Sequence, residues 1–406
     1  MKRLLIGLVL ASPTLVLAQG SQVNTQSPKA VGMSGAGSAL FVDESSIFYN
    51  PGALSKMDHN SVSLGASAVM YRSAFSEVNS VDVHKTKFQI TPPFSVFATF
   101  GPKDAKWKAG LGVYTPFGGA VDWGDQWPGK YELNSLQMRA IYIQPTISYK
   151  LTEKLGIGAG FVYNIGLVDL ARSLPTSFPD GTAGKAELSG VGSGLGYNLG
   201  AHYNFDNKLA ISLSYRSKVV TKLKNGDAEF TVPPALATSF PTTTFNAELP
   251  LPASINLGVS FPTSDRLAFA ADGTFIKYDI YKELFFDYKD NTDALKDTKQ
   301  PKNYKNAFSG KVGANYKTTD NLDLRAGLGY VFTPVRSEFV SAETPDNDRF
   351  MASAGFTYAV SDKWSFTGAY VFQHLIKRTV TSLDSQLSGT YETNIHAPSI
   401  SLTYKW

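Results

Sequence analysis

The sequence predicts an all-β protein, a transmembrane antiparallel β-barrel of fourteen strands with an N-terminal hatch (plug) inside its lumen. Three observations predict it. The chain opens with an export signal yet contains no later apolar run of the roughly 18 residues that a helical span needs. From about residue 60 onward it alternates with period 2, and the second parity is small or polar. Its turns alternate between short and long, as in outer-membrane barrels.

Residues 1–18 carry the signal. Lys2 and Arg3 precede the apolar run Leu4 to Leu17, and Val16-Leu17-Ala18 supplies a small-residue cleavage site. Ser12 and Pro13 interrupt the run, which argues against a membrane anchor. The mature chain is expected to begin at Gln19. With no Cys it can carry neither an N-terminal lipid nor a disulfide framework. Formal charge is +4, or +2 without Lys2 and Arg3, which points to neither nucleic acid nor an acidic partner.

Residues 19–59 lack sustained alternation and are rich in Gly, Ser and Ala. Fourteen strands enclose more room than their own side chains fill, so this segment is the natural plug. Residues 60–406 form the barrel. Val62-Leu64-Ala66-Ala68, Leu155-Ile157-Ala159-Phe161, Leu209-Ile211-Leu213-Tyr215 and Ile255-Leu257-Val259-Phe261 each keep one parity. So do Leu322-Leu324-Ala326-Leu328-Tyr330, Phe350-Ala352-Ala354-Phe356 and Ile400-Leu402-Tyr404-Trp406. The opposite parity is Gly, Ser, Thr and Asn with Asp272, Lys311 and Arg325, which suits a wet lumen better than a dry core. Trp107, Tyr149, Tyr203, Phe261, Tyr316, Tyr358, Trp364 and Tyr404 gather at strand ends, where amphipathic rings suit the interface.

Six short turns lie at Gly101–Lys106, Leu151–Lys154, Asn204–Lys208, Pro262–Arg266, Lys317–Asn321 and Val360–Lys363. Between them run long polar stretches near 72–86, 118–136, 173–189, 223–244, 279–303, 334–347 and 378–390. Six short and seven long connections require fourteen strands, with short turns in the periplasm and long loops outside. Only a closed barrel satisfies every backbone group in lipid without helices.

Several segments, in order along the mature chain, carry a family likeness. They include Gly32-Met33-Ser34-Gly35-Ala36-Gly37, Asp43-Glu44, Phe48-Tyr49-Asn50-Pro51-Gly52-Ala53-Leu54 and Val113-Tyr114-Thr115-Pro116-Phe117-Gly118-Gly119. Trp123, Trp127-Pro128-Gly129-Lys130-Tyr131, Ser214-Tyr215-Arg216-Ser217-Lys218 and Pro345-Asp346-Asn347-Asp348-Arg349 continue the set. Together they resemble the outer-membrane transporters of long-chain fatty acids and aromatic hydrocarbons. The resemblance implies uptake of hydrophobic small molecules by passive diffusion. Ligand would pass from external loops to an internal apolar pocket, then sideways through a gap made by a kinked third strand. That strand is expected near 106–117, and the family's kink glycine matches Gly118. Pro cannot donate to the ladder and Gly weakens it, so Pro116, Gly118 and Gly119 give a kink a local cause. The same residues also suit the start of an external loop.

The resemblance further implies ligand contacts. Arg172 matches the arginine that meets a fatty-acid headgroup, and the partner lysine falls within Lys299-Gln300-Pro301-Lys302. A buried carboxylate needs such a cation, whereas a neutral aromatic ligand needs none. Arg172, Lys299 and Lys302 are equally readable as exposed charges for lipopolysaccharide phosphates. Val23 and Phe117 are the apolar candidates, since the chain lacks the Phe that fills the pocket in fatty-acid members. In the plug, Asn50-Pro51-Gly52 stands where the family usually has Ala in third place, and the stretch 173–189 is short.

Two other function classes compete. A general diffusion porin for polar solutes would want an open lumen with opposed charged rings. An outer-membrane acyl hydrolase would want Ser beside His, and none of His59, His84, His202, His374 and His396 sits in a nucleophile motif. The reading carries no enzyme activity, no cofactor and no metal. Its expected partners are a hydrophobic ligand, outer-membrane lipid with lipopolysaccharide, and the barrel assembly machinery during biogenesis. The expected state is a monomer.

Overall fold

A computed structural model describes residues 22, 23, 25–383 and 387–406, so the signal segment and its cleavage site lie outside the described residues. Fourteen antiparallel strands close into one ring. β1 comprises Ser61–Ser67 and Val69–Glu77, and β2 comprises His84–Lys85, Gln89–Thr91 and Phe94–Phe100. Long single strands follow: β3 (Trp107–Asp122), β4 (Ser135–Lys150), β5 (Leu155–Ser177) and β6 (Ala183–Asn204). β7 (Ala210–Arg216 and Val219–Thr231), β8 (Thr243–Leu251 and Ala253–Pro262), β9 (Leu267–Lys277 and Glu283–Tyr288) and β10 (Thr298–Pro301 and Ala307–Lys317) are each interrupted once. β11 (Leu322–Val331), β12 (Arg349–Ala359), β13 (Trp364–Thr381) and β14 (Ser388–Lys405) complete the ring. β14 pairs back onto β1 from Ser61↔Lys405 to Ser67↔Ser399. Asn60 and Trp406 then exchange backbone bonds of 3.2 and 3.1 Å, which seals the seam at its periplasmic end.

The pleat sorts the two parities as expected. Leu64, Leu111, Ile147, Leu213, Leu257, Leu328 and Ile400 stand exposed on the outer wall, where lipid is their solvent. Their neighbours Ser63, Ser148, Ser212, Ser399 and Thr403 are buried inside. Trp107, Tyr149, Phe261, Tyr316, Tyr358 and Trp364 remain exposed near the short turns, forming one aromatic girdle.

The long polar stretches differ from expectation. Residues 173–189 are not a loop: β5 runs to Ser177 and β6 begins at Ala183, leaving only 178–182 between them. The wall continues outside the membrane because Leu174, Ala186 and Leu188 turn inward onto a dry core. That core also holds Phe75, Trp127, Leu133, Leu223, Phe245 and Phe286. A sheet that covers apolar side chains gains from continuing past the bilayer. β3 likewise extends to Asp122, beyond the expected 117.

The segment before β1 touches strands all around the ring, which places it inside. It contains two single-turn helices, α1 (Pro28–Val31) and α2 (Ser46–Tyr49), and a 3-10 turn at Pro51–Lys56. The Ser34 N–H donates to Ser353 Oγ on β12 at 2.7 Å. Asp272 on β9 accepts the Gly37 N–H at 2.7 Å and the Ser38 hydroxyl, holding a turn whose Gly37 φ of 113° suits glycine. Glu44 accepts Ser61 Oγ of β1 at 2.9 Å. Asn50 Nδ2 donates to the Ala201 carbonyl of β6 at 2.9 Å, while Asn50 Oδ1 caps the Gly52 N–H at 3.1 Å.

Glycine at 52 has a steric reason. A Cβ there would stand 2.8 Å from Ala201 Cα and from the carbonyls of Gly156 and Gly200. The departure from the family's usual Ala is therefore matched by an unusually close approach of this turn to β5 and β6. Arg216 of β7 fastens the same region. Its guanidinium donates to the Phe48 carbonyl at 2.8 Å and to Tyr114 Oη at 2.7 Å, and lies 4.3 Å from the Phe48 ring centroid.

Candidate ligand pathway

Two cavities lie end to end above the N-terminal segment. The outer one, about 850 Å³ of empty space, is enclosed by the external ends of β4, β5, β7, β8 and β9. Its wall is mostly apolar, with Leu136, Met138, Leu170, Leu223, Phe245 and Phe286, and is joined by Tyr278, Tyr281, Tyr304 and Glu343. The inner one, about 1240 Å³ including its open side, lies against Val23, Val69, Tyr71, Gly118, Gly119 and Val121. Leu136, Met138, Glu343 and Thr344 line both.

The divider is the tight turn Ser341–Thr344, in the connection between β11 and β12. Three contacts latch it. Trp123 Nε1 donates to the Ala342 carbonyl at 3.0 Å, and the Ala342 N–H donates to Glu132 Oε1 at 2.7 Å. Lys302 Nζ donates to Glu343 Oε2 at 2.5 Å, with both side chains about 95% buried at 4% and 5% exposure. Burial alone would lower the Lys302 ammonium; the facing Glu343 carboxylate overrides it and holds the group above its usual range. Trp123 stacks on Trp127 with centroids 4.5 Å apart, which stiffens the anchoring end of β3.

Beside the inner cavity the barrel wall is incomplete. β2 pairs with β3 only between Ser95↔Tyr114 and Phe100↔Ala109. On the other edge, β3–β4 pairing slips between Tyr114 and Phe117, so Thr115 and Pro116 bulge. Pro116 has no N–H to give, and the bulge turns β3 away from β2. From Thr115 to Val121 the β2-facing edge is met, among the described residues, chiefly by Gln22, Val23 and Gln26. The Val23 N–H donates to the Pro116 carbonyl at 2.8 Å, Gln22 bridges Phe117, and Gln26 Nε2 reaches the Thr115 carbonyl at 2.7 Å. Pairing resumes beyond the gap, where the Lys87 N–H meets the Asp122 carbonyl at 2.7 Å.

The residues singled out from sequence are distributed unevenly over this pathway. Val23, Gly118 and Gly119 line the inner cavity at the gap, and Pro116 lies in the bulge beside it. Phe117 is buried at 2% exposure and packs toward Tyr142 with Phe48 and Tyr114, below the cavities. Lys302 is buried with Glu343, whereas Lys299 is exposed outside, 5.1 Å over the Phe285 ring. The two lysines therefore do not share a site. Arg172 is half-buried near Tyr288, apart from the residues that line the cavities. Sequence reading missed Glu343 and the cavity wall at Leu136 and Met138. Only their contacts across the barrel single these residues out.

A closed β-barrel with a lipid-facing apolar belt, a filled lumen and internal cavities walled largely by apolar side chains defines an outer-membrane transport barrel. Comparison with known proteins gives the family. Residues 8–406 match the model of the outer membrane protein transport protein family (OMPP1/FadL/TodX), and the chain belongs to that family. A putative outer membrane protein of Neisseria meningitidis is 25% identical, covering 99% of this chain and 97% of its own. The long-chain fatty acid transport protein of Salmonella typhi is 23% identical over 89% of this chain and 88% of its own. The crystal structure of a Pseudomonas aeruginosa FadL homologue shares the fold, with a TM-score of 0.85, 20% identity and coverage of 95% and 99%.

Proposed function

We propose that this outer-membrane protein carries small hydrophobic molecules inward by passive diffusion, from the outer cavity to the inner cavity and then sideways between β2 and β3 into the bilayer. The relatives point to the same cargo class, being named for long-chain fatty acid transport and, in one solved structure, as a monoaromatic hydrocarbon channel. The single observation that carries the route is the break in β2–β3 pairing beyond Tyr114, which lies beside the inner cavity.

The energetics favour that exit. Re-exposing apolar surface to the periplasm costs about 25 cal/mol per Å², whereas leaving through the wall keeps the molecule dry. The straight route down meets residues 25–57, most of them buried and hydrogen-bonded to strands on every side. In this reading they act as the hatch, and Val23 with the Pro116 bulge guards the lateral opening.

The rival readings have weaker support. A porin needs a clear axis, which the N-terminal segment occupies. An acyl hydrolase needs Ser on His, but His202 meets Asn204 at 3.0 Å, His374 meets Asn394 at 2.8 Å and His396 meets the Tyr370 hydroxyl at 2.6 Å. Reconstitution in liposomes tests the proposal. Hydrophobic solutes should equilibrate faster than in protein-free vesicles while sugars cause no swelling; size-dependent sugar flux would establish a diffusion porin instead.

A further inference from the structure

The cation beside the outer cavity is already neutralised by the protein itself, and Arg349, which lines the inner cavity, faces Asp346 at 3.5 Å. Glu343 holds Lys302 at 2.5 Å in a site where both side chains are about 95% buried. A carboxylate arriving in the outer cavity would meet the Glu343 carboxylate first. To reach the ammonium it would have to expel Glu343 and leave that charge buried without its counter-ion, which is strongly unfavourable.

Glu343 has a second property. Its Oε1 is buried and has no hydrogen-bond partner among the described residues, and the residue lines both cavities. A buried carboxylate oxygen without a donor is a standing demand for one. The wall around it mixes apolar Leu284, Phe286, Leu136 and Met138 with the hydroxyls of Tyr278, Tyr281, Tyr304 and Thr344, and none of these bonds that oxygen.

Resting on the transport reading above, we propose that the cavity site selects neutral hydrophobic molecules bearing a hydrogen-bond donor, such as alkanols or phenols, and discriminates against fatty-acid anions. The hydroxyl donates to Glu343 Oε1 while Oε2 stays on Lys302. The apolar body fills the outer cavity. No bond is made or broken, and the Lys302–Glu343 pair persists through binding.

The test is displacement of a neutral fluorescent hydrophobe from the full-length barrel in detergent, corrected for micelle partitioning. Decanol, decyl methyl ether and decanoate serve as competitors of matched length. Decanol should bind roughly tenfold more tightly than the ether, the worth of a hydrogen bond to a charged acceptor, and decanoate should bind most weakly. Glu343→Gln leaves Lys302 without its counter-ion and should raise decanoate affinity at least about tenfold. Because that variant carries a fold risk, the paired change Lys302→Met with Glu343→Leu is measured alongside, with heat-modifiable migration as the folding check. It should lower decanol to the level of the ether while decanoate stays weak. Decanoate binding the wild type as tightly as decanol, or gaining nothing in folded Glu343→Gln, overturns the proposal while leaving the pocket itself intact. Failure of all three competitors to bind a folded barrel overturns the transport reading together with it.

Discussion

Gly119 offers the cleanest way to close the lateral opening without disturbing the wall. A Cβ added there meets nothing within 4 Å, and its backbone lies outside the left-handed region. A Cβ at Gly118, by contrast, lands 3.1 Å from the Met138 carbonyl, so Gly118→Val would strain the β3–β4 ladder as well as reshape the gap. Gly119→Trp should therefore place an indole in the inner cavity beside Val69 and Tyr71, across the gap between β2 and β3. A buried Trp side chain covers about 150–250 Å². If about 100 Å² of that lies in the opening, displacing it costs about 2.5 kcal/mol at ~25 cal/mol per Å². That slows passage roughly 50- to 100-fold. The assay is uptake of radiolabelled decanol by cells whose only transporter of this kind is the variant, with surface level and heat-modifiable migration matched to wild type. Equilibrium binding in the outer cavity should change less than threefold, so the loss appears in rate alone. Wild-type uptake by a folded Gly119→Trp barrel would refute lateral exit. A disulfide tethering the N-terminal segment to the wall would then become the decisive variant, since transport would have to run along the barrel axis.

Three further outcomes follow from particular contacts. Gly52→Ala forces a methyl to 2.8 Å from three backbone atoms of β5 and β6, and should cost about 1–3 kcal/mol of stability, read as earlier proteolysis of the N-terminal segment or a lower unfolding midpoint. In the cysteine-free chain, Cys at exposed Asp180 should react with an impermeant thiol reagent on intact cells, and Cys at exposed Asp206 should not; the reverse pattern would invert the barrel. The raised Lys302 makes its ion pair a stabilising term fully present below the ordinary lysine value of 10.5 and lost as pH climbs from there toward the folded value. Unfolding midpoints measured between about pH 10 and 12 should fall more for wild type than for the paired Lys302→Met and Glu343→Leu change, and parallel curves would show that the pair contributes nothing.

Legibility in the sequence followed the range of the interaction. Strand number, orientation and the inward and outward faces rest on period-2 alternation and turn length, both local properties. Leu64 and Ser63 declare their sides through their neighbours, and six short turns count the hairpins. Pro116 and the glycines after it announced an irregular third strand for the same reason: a missing N–H and missing side chains act where they stand. The extent of the outer wall was less legible. Leu174 and Leu188 sit in polar company and turn inward only because Leu223, Phe245 and Phe286 arrive from other hairpins to cover them.

The site divides along the same line. Alternation along the chain was enough to determine a barrel with a polar interior and a segment left over to fill it. Tertiary structure alone decided that Gln22 and Val23 return to the broken edge of β3, and that Gly52 lies against β5 and β6. It also decided that Lys302 is answered by Glu343, 41 residues away, rather than standing open for a ligand. Alternation is written in covalent geometry and repeats every second residue. The pairing of one buried charge with another depends on how the whole ring brings distant loops together, and no periodicity in the chain encodes it.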